Sequence, residues 1–506
     1  MWESIRRTWM RWRKRARHVA EGLALAAALA IVAAGAAVLI HWDALVTAAK
    51  FHALRDDHTA TRAFLHRMPK GADLHVHLSG AVFAERLIVW AVQDDLCLRV
   101  SDLSIVACAT GDGIVPIAQA IADQRTYDHV IDALSTRNFE PSRAAPSGHD
   151  QFFDAFGKIG PVTASHFVDL TLDQLRQYEK DSVQYVELMA TFFSSDERRP
   201  LVEAIGDRSD PAEMLAILNI HGLEDLVASR GKKVAELVEQ IETRRNCRNN
   251  AAAPGCSVHY RFIAQVSRNN PAKDVFVQTA LAAALSRAMP QVVAGLNFVS
   301  PEDNRVALRD YAEHMRMVGF LAGQFGVQVA LHAGELWGGL VPDDDLRFHI
   351  RQAVEIAKAQ RIGHAVDLAF EDDMEGLLAT MRRSGVAVEI NLTSNDKILG
   401  VRGPDHPLPT YLAAGVPVVL STDDAGISRI DLTNEYFRAA RDYGLDYDAL
   451  KAIARASLDH SFLQDEKAAE RDRFARESVA FERTEAQRQS TLRNLVLLAK
   501  YAGGWR

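Results

Sequence analysis

The chain has 506 residues, of which 48% are hydrophobic and 25% charged, and its formal net charge is −8. This composition excludes a disordered, collagen-like or coiled-coil protein and predicts a globular chain with a sizeable core. The charge is unevenly placed, because the first 18 residues carry +6 and the remainder −14. We interpret the basic head as a topology signal, and nothing else in the sequence suggests nucleic-acid binding.

An apolar segment follows this basic head, which we place at residues 1–21. Residues 22–40 contain no charged side chain, and about 20 such residues are enough to cross a hydrocarbon core. Because positive flanks stay in the cytoplasm, the pattern predicts a transmembrane signal anchor over 22–42 and a body outside the cytoplasm, periplasmic or extracellular. The alternatives are secretion after signal-peptide cleavage near residues 33–37 and, more weakly, a twin-arginine signal at Arg6-Arg7.

The four cysteines form two locally spaced pairs. Cys97 and Cys108 are 11 residues apart, and Cys247 and Cys256 are 9 apart. In an exported protein this spacing predicts two local disulfides, and the alternative is four unpaired, buried thiols. Neither pair has C-x-x-C spacing, so we do not expect cysteine ligation of zinc.

Eight strand candidates follow a helical lead-in over residues 43–67. Several are continuous apolar runs, typical of strands buried on both faces of a parallel sheet, and helical patterns separate most of them. The predicted strands are 73–78, 183–189, 258–266, 292–299, 327–331, 361–365, 386–391 and 416–421. The intervening helices are predicted at 84–93, 211–218 with 232–244, 275–287, 305–325, 346–358, 373–383 and 408–414. This alternation predicts a (β/α)8 TIM barrel over residues 68–430.

Two segments exceed the minimal strand–helix repeat. Residues 97–168 form a long insertion after the first strand, where we expect a cover over the mouth of the barrel. Residues 431–506 are predicted to add a C-terminal helical layer outside the barrel, with helices at 432–443, 447–462 and 467–501.

The ends of four predicted strands carry metal-ligand residue types. In the first strand, alternation places His75 and His77 on the same face, a pattern that by itself fits a metal pair or a solvated polar face equally well. The other strand ends supply His332 with Glu335, then His364, and finally Asp423 with Asp424. Because barrel strands end on one rim, the sequence predicts a metal site there.

The residue types at this rim favour zinc. Three imidazoles and one carboxylate suit a borderline-soft divalent ion, and a position left for water makes such a site catalytic. The fourth strand, 292–299, contains no lysine, so the carbamylated lysine that bridges two metals in many barrels has no candidate. We therefore expect one Zn²⁺ per chain.

A series of short motifs occurs in a fixed order between Met68 and Asp424. They are Met68-Pro-Lys70 with His75-x-His77, His332-Ala-Gly-Glu335, Arg361-Ile-Gly-His364, Asn391-Leu-Thr-Ser-Asn395 and Ser421-Thr-Asp-Asp424. Together they resemble the adenosine deaminase family of metal-dependent barrels. The resemblance implies zinc held by His75, His77, His332 and Asp423. It also implies hydrolytic deamination of adenosine or deoxyadenosine to inosine or deoxyinosine and ammonia.

The same resemblance implies individual roles. Glu335 would protonate purine N1 as hydroxide attacks C6, His364 would orient that hydroxide, and Asp424 would hydrogen-bond N7. The implied substrate-binding residues are His77, Ser79, Gly80, Ser300 and Asp424. The P-C-x-x-C signature of the cytidine-type zinc deaminases is absent.

Three departures from the family pattern concern the substrate. Ser79 stands where the family usually has an Asp that contacts the sugar 5′-hydroxyl, and a neutral hydroxyl makes a weaker hydrogen bond. Ser300 replaces a glycine whose amide meets purine N3, and Asn297 replaces an Asp. The alternatives are deamination of another 6-aminopurine, such as a modified nucleoside or a futalosine-type compound, a different metal hydrolase, or a decayed nucleoside-binding or signalling protein.

Overall fold

The computed structural model describes residues 1–6, 8–13, 17–21, 23, 41–109, 111–143, 145–488 and 490–503. Contacts divide the chain into two units, residues 57–475 and residues 1–56 with 476–506. Apart from Leu23, His41 and Trp42, the predicted membrane segment 22–42 lies outside the described residues. Within the described ranges, no helix has both the length and the apolar character that crossing a bilayer requires. The membrane anchor and the domain boundaries therefore stay predictions.

The strands of the larger unit form two sheets. In chain order they are β1 Ala72–His77, β2 Cys97–Arg99, β3 Ser104–Val106, β4 Ile114–Pro116, β5 Tyr185–Ala190, β6 His259–Ser267, β7 Val293–Val299, β8 Gln328–Ala333, β9 Arg361–His364, β10 Ala387–Ile390 and β11 Val418–Leu420. Eight of them make a parallel sheet in the order β1-β5-β6-β7-β8-β9-β10-β11. Val76 of β1 also bridges Asp423, just after β11. The sheet thus closes on itself, and the predicted barrel is confirmed.

Helices connect the barrel strands and extend beyond them. The described helices are α1 Trp42–Leu54, α2 His58–Arg67, α3 Ala84–Gln93, α4 Ile117–Ala120, α5 Gln124–Ala133, α6 Gly148–Ser165, α7 Phe167–Lys180, α8 Ser195–Ile205, α9 Pro211–Ile220, α10 Leu223–Arg245, α11 Ala272–Ala288, α12 Arg305–Phe325, α13 His349–Glu355, α14 Met374–Ser384, α15 Leu392–Leu399, α16 Leu408–Ala414, α17 Ala425–Ser428, α18 Leu432–Tyr443, α19 Tyr447–Asp459, α20 Lys467–Gln487 and α21 Thr491–Ala502. Short 3-10 turns lie at Asp343–Leu346, Asp367–Phe370 and Gly403–Asp405.

The insertion after β1 contains the three short strands that sequence analysis missed. They form an antiparallel sheet in the order β3-β2-β4, and β3 packs against α6. The disulfide Cys97–Cys108 lies in this region, and Cys247–Cys256 follows α10. Both predicted disulfides are therefore confirmed.

The prediction of one continuous helix over 467–501 is wrong. The segment forms α20 and α21, and Ser490 is the N-cap of the second helix because its side chain accepts a hydrogen bond from the Arg493 amide. Serine is a favoured N-cap residue because its hydroxyl satisfies an amide that has no partner within the helix. A helix start at Ser490 was therefore readable from the sequence.

Candidate active site

The four predicted metal ligands meet at the carboxyl end of the barrel. His75 and His77 end β1, His332 lies near the end of β8, and Asp423 follows β11. The closure of the barrel aligns two of these segments, since the Asp423 amide donates to His75 O at 2.9 Å and the His77 amide donates to Asp423 O at 3.0 Å. All four side chains are buried, and their ligand atoms lie within 4.8 Å of one another.

The spacing of the ligand atoms suits a metal ion. His332 Nε2 lies 3.0 Å from the Nε2 atoms of both His75 and His77. Asp423 Oδ1 lies 3.4 Å from His75 Nε2 and 3.2 Å from His77 Nε2. Ligand atoms around a tetrahedral zinc lie about 3.4 Å apart when the bonds are about 2.1 Å. Three imidazole nitrogens and one carboxylate oxygen therefore converge at roughly the separation that one zinc ion needs.

Each histidine in this set has a partner at its other ring nitrogen. His75 Nδ1 lies 2.7 Å from Glu389 Oε2, and His332 Nδ1 lies 2.9 Å from Asn297 Oδ1. The Gln265 side-chain amide lies 2.8 Å from His77 Nδ1. The oxygen acceptors at His75 and His332 hold the ring proton on Nδ1 and leave Nε2 free to bind a metal. The Gln265 amide nitrogen is a donor, so it fixes the orientation of the His77 ring without holding a proton on Nδ1. The fit is supported further by Ser394, whose hydroxyl donates to Asp423 Oδ2 at 2.5 Å.

Glu389 belongs to a buried ion-pair network beneath the metal ligands. Arg361 donates to Glu389 and, at 2.5 Å, to Glu187. Its guanidinium also lies 3.6 Å from the centre of the Phe462 ring. A carboxylate can remain charged in such a site only when a cation compensates for its burial. Arg361 supplies that cation, so Glu389 can hold His75 without being exposed to water.

Glu335 is held in place through its backbone. Its amide donates to Glu302 Oε2 at 2.8 Å, and Glu302 also contacts His349 Nδ1 at 2.6 Å. Burial raises the pKa of Glu302, but Arg268 and His349 outweigh burial and bring this pKa to about 2. In contrast, burial and then the charge of Asp423 raise the pKa of Glu335 well above its usual value. Glu335 is thus favoured in its protonated form, as a proton donor must be.

His364 and Asp424 lie beside the ligand cluster. His364 has the positive φ of +67°, and its ring lies 3.6 Å from Glu335 Oε1 and 4.0 Å from Asp423 Oδ2. Asp424 Oδ1 is buried and has no hydrogen-bond partner among the described residues. Burial and then Asp423 raise the pKa of Asp424 well above its usual value. Its carboxyl group is therefore favoured as a protonated donor.

Gly80 makes room for Asp424. A Cβ atom added to Gly80 would lie 1.8 Å from Asp424 Oδ1, far inside van der Waals contact. A residue with any side chain would therefore displace Asp424. Of the implied substrate-binding residues, Gly80 acts by shaping the site, whereas the others line a cavity.

This cavity has a volume of about 330 Å³ and opens beside the ligand cluster. It is lined by His77, Ser79, Gln265, Val299, Ser300, Pro301, His332, Glu335, Asp423, Asp424, Phe152, Phe153 and Phe156. The three phenylalanines come from α6, so the insertion covers the mouth of the barrel. His149, one turn earlier on α6, lies 3.1 Å from Asp303 Oδ1 on the loop after β7.

Ser300 has an unusual backbone conformation for a residue with a side chain. Its φ is +82°, in the region that favours glycine. The buried Arg268 donates to Ser300 O at 2.8 Å and to His332 O at 3.1 Å. The Ser300 hydroxyl lies 3.0 Å from that of Ser267. Arg268 therefore links the loop that borders the cavity to a metal-ligand strand.

Several residues that complete the site were given no role in it from the sequence, although Asn395 belongs to one of the quoted motifs. They are Gln265, Arg268, Glu302, His349, Glu389, Asn395 and His406. His349 is buried against Glu302. One signal was available: Glu389 interrupts an apolar strand predicted to be buried on both faces, and a buried carboxylate needs a partner.

Comparisons with known proteins agree with this geometry. The family model described as adenosine deaminase matches residues 144–475. An adenosine deaminase of Clostridium perfringens (strain 13 / Type A) is 31% identical over 160 residues, 31% of this chain and 44% of that protein. One from Erwinia tasmaniensis is 35% identical over 152 residues, 30% of this chain and 42% of that protein. The chain thus matches less than half the length of these curated relatives.

Solved structures share the fold. An Arabidopsis N6-mAMP deaminase has a TM-score of 0.53 at 21% identity, covering 82% of this chain and 99% of that chain. An adenine deaminase from Arthrobacter aurescens has a TM-score of 0.51 at 20% identity, covering 81% and 98%. An amidohydrolase from Burkholderia ambifaria with bound Zn has a TM-score of 0.50 at 18% identity, covering 85% and 95%.

Proposed function

This chain belongs to the adenosine deaminase family, and we propose that it is a zinc-dependent hydrolase that converts adenosine or deoxyadenosine to inosine or deoxyinosine and ammonia. The observation that carries the proposal is the convergence of three histidines and Asp423 beside one cavity. Glu335 borders the same cavity, and His364 adjoins both acids.

The side chains divide the reaction among them. When bound, the metal supplies hydroxide at neutral pH. Protonated Glu335 donates to purine N1 as C6 is attacked, and protonated Asp424 donates to N7, which holds the ring in register. His364 orients the nucleophile with a ring N–H. The proton of the new C6 hydroxyl then passes to the amino nitrogen, the C6–N6 bond breaks, ammonia leaves and a C6 carbonyl remains, without a covalent bond to the protein.

The cavity favours a nucleoside over a nucleotide. Its lining, within the described part of the chain, includes no lysine or arginine, whereas a phosphate is usually bound by such cations. The three phenylalanines of α6 would face an uncharged portion of the substrate. The related N6-mAMP deaminase makes a nucleotide substrate the main competitor. Another 6-aminopurine compound, including a modified nucleoside or a futalosine-type compound, remains the second candidate.

A substrate panel on the full-length chain tests the proposal. Adenosine, deoxyadenosine, adenine, AMP, N6-methyl-AMP and a 5′-substituted adenosine are compared, and metal content is measured in the same preparation. We expect turnover of the free nucleosides with one zinc per chain. Failure to deaminate adenosine, a preference for the phosphorylated substrates, or two metals per chain would contradict the proposal.

We also propose that residues 22–42 anchor the body outside the cytoplasm. The support is the charge-free run after the basic head. N-terminal sequencing of the protein from a membrane fraction tests the anchor: an intact start supports it, and a start near residues 33–37 indicates secretion after cleavage.

A further inference from the structure

We propose that His406 is a positioning residue that sets the tautomer of His364 through Asn395. The inference rests on the proposed function, because it concerns the side chain that would orient the nucleophile. Its basis is a chain of hydrogen bonds that begins at a backbone amide and ends at the His364 ring.

The chain of contacts has three links. The Leu408 amide donates to His406 Nδ1 at 3.1 Å. His406 Nε2 lies 3.0 Å from Asn395 Oδ1. Asn395 Nδ2 lies 2.9 Å from His364 Nδ1. The three side chains are 2% exposed or less, so water does not compete for these contacts.

The Leu408 amide at the start of this chain of hydrogen bonds determines which atom donates and which accepts at every link. A backbone N–H can only donate, so His406 Nδ1 must accept from Leu408 and carries no proton in the neutral ring. The proton of His406 is therefore on Nε2 and is donated to Asn395 Oδ1. This leaves the Asn395 amide nitrogen facing His364, where it donates to Nδ1. His364 consequently carries its proton on Nε2.

His406 is suited to this task because it stays neutral. Burial and then the charge of Arg438 lower the pKa of His406 to about 3. A protonated ring would donate from both nitrogens and would clash electrostatically with the Leu408 amide. Asn391 does not supply the same direction, since its Nδ2 lies 3.5 Å from Nδ1 and 3.4 Å from Nε2 of His364. That amide is nearly equidistant from both ring nitrogens.

The consequence for the reaction lies at His364 Nε2. This atom faces Asp423 Oδ2 at 4.0 Å, on the side where the metal ligands converge. With the proton on Nε2, the ring offers an N–H donor to hydroxide. With the opposite tautomer, the ring would offer a lone pair to a nucleophile that is already rich in electrons.

The Asn395→Asp variant is the sharpest test because it keeps the size of the side chain. A carboxylate accepts from His406 Nε2 and also accepts from His364, so it reverses the last link and moves the His364 proton to Nδ1. We expect kcat to fall by up to about 10⁴-fold, the effect of a wrong histidine tautomer in a catalytic triad. KM and zinc content should stay close to those of the unchanged protein.

Two variants at His406 distinguish the effect of its N–H donor from the effect of its size. His406→Gln retains an N–H donor towards Asn395, whereas His406→Leu fills the space without one. We expect the first variant to keep most of kcat and the second to lose much of it. Equal activity of the two variants would overturn the inference.

The tautomer itself is measured without turnover. In protein labelled with ¹⁵N-histidine, the His364 signals are assigned by their absence in His364→Ala. We expect a protonated Nε2 in the unchanged protein and a protonated Nδ1 in Asn395→Asp. A protonated Nδ1 in the unchanged protein would overturn the inference even if adenosine is deaminated. The expected tautomer without any deaminase activity would instead contradict the proposed function.

Discussion

The two sides of the active-site cavity are built differently. On the metal side, His75, His77 and His332 each meet a partner at Nδ1, and Asp423 accepts from Ser394. On the substrate side, the wall consists of phenylalanines from α6 and of short neutral side chains such as Ser79 and Ser300. Because the metal-side residues contact one another, substituting one of them disturbs the others. The side chains of the substrate-side wall act separately, so one of them can be substituted without disturbing the rest.

This difference explains why the reaction is easier to infer than the substrate. The metal side contains each residue type that the adenosine deaminase motifs imply. The departures at Ser79 and Ser300 lie on the substrate side. Asn297 is the exception, since it departs from the family pattern and yet contacts the metal ligand His332.

Glu335→Gln tests the metal side with the largest expected effect. The amide keeps the shape of the side chain but cannot deliver a proton to N1, and loss of a general acid costs about 10²- to 10⁴-fold in kcat. Steady-state rates on adenosine measure the loss. Zinc content is the control, and it should not change. Near-normal kcat in this variant would remove Glu335 from the mechanism.

The stability of the metal side should depend on pH through Glu302. Its folded pKa of about 2 lies below the ordinary value of 4.5, so the charged form stabilises the fold above pH 4.5 and this contribution is lost as pH falls towards 2. The difference between these two pKa values corresponds to about 3 kcal/mol of folding free energy. Urea unfolding from pH 7 to pH 3 measures it. The stability difference between the unchanged protein and Glu302→Gln should shrink below pH 4.5, and a pH-independent difference would contradict the assignment.

The Gly80→Ala substitution should displace the Asp424 carboxyl group on the substrate side of the cavity by steric contact. The new methyl group would lie 1.8 Å from Asp424 Oδ1, and a displacement of about 1 Å in a catalytic group can cost about 10²-fold. We expect a loss of that size in kcat/KM for adenosine. Gly323→Ala is the matched control, because a Cβ there meets nothing within 4 Å. Equal losses in both variants would point to a general effect on folding.

Asn297→Asp tests the exception on the metal side. A carboxylate in place of the neutral amide would still accept from the His332 ring and would add a negative charge near the metal. Changes in such partners alter metal affinity by about 10- to 100-fold, and we expect tighter binding by about tenfold. Competition with a chelator measures the dissociation constant. Asn297→Ala should bind metal more weakly, and similar affinities in both variants would show that Asn297 only fills space.

Ser79→Asp has the smallest expected effect and concerns the sugar. A charged acceptor makes a hydrogen bond stronger than a neutral one by about 1 to 1.5 kcal/mol, so kcat/KM for adenosine should rise about tenfold. Adenine, which lacks the sugar, should show no gain. A gain on both substrates would mean that Ser79 does not face the ribose.

The fold was predictable because its strongest signals are local. Several of the eight barrel strands are continuous apolar runs, and the observed ends of all eight differ from the predicted ones by at most two residues. The strands β2, β3 and β4 were missed because each has three residues, too few to show a period, and because they lie outside the strand–helix repeat that marked the equally short β11. These strands are defined by their pairing with one another in the small sheet, and their own residue pattern does not mark them.

Only part of the candidate site was predictable from the sequence. His75, His77, His332 and Asp423 could be grouped because each ends a barrel strand, and all such ends share one rim. Gln265 and His406 could not, since their roles depend on which side chain each one touches. Neither residue can be recognised as part of the site from its type and its position in the sequence.

The bridge between Val76 and Asp423 also has a consequence for folding. It joins the first and last strands of the barrel, so it depends on the longest loop that the barrel must close, and long loops are entropically costly to close. An ion bound by His75, His77 and Asp423 would fasten these same two segments. Metal binding should therefore stabilise the closed barrel against opening between its first and last strands.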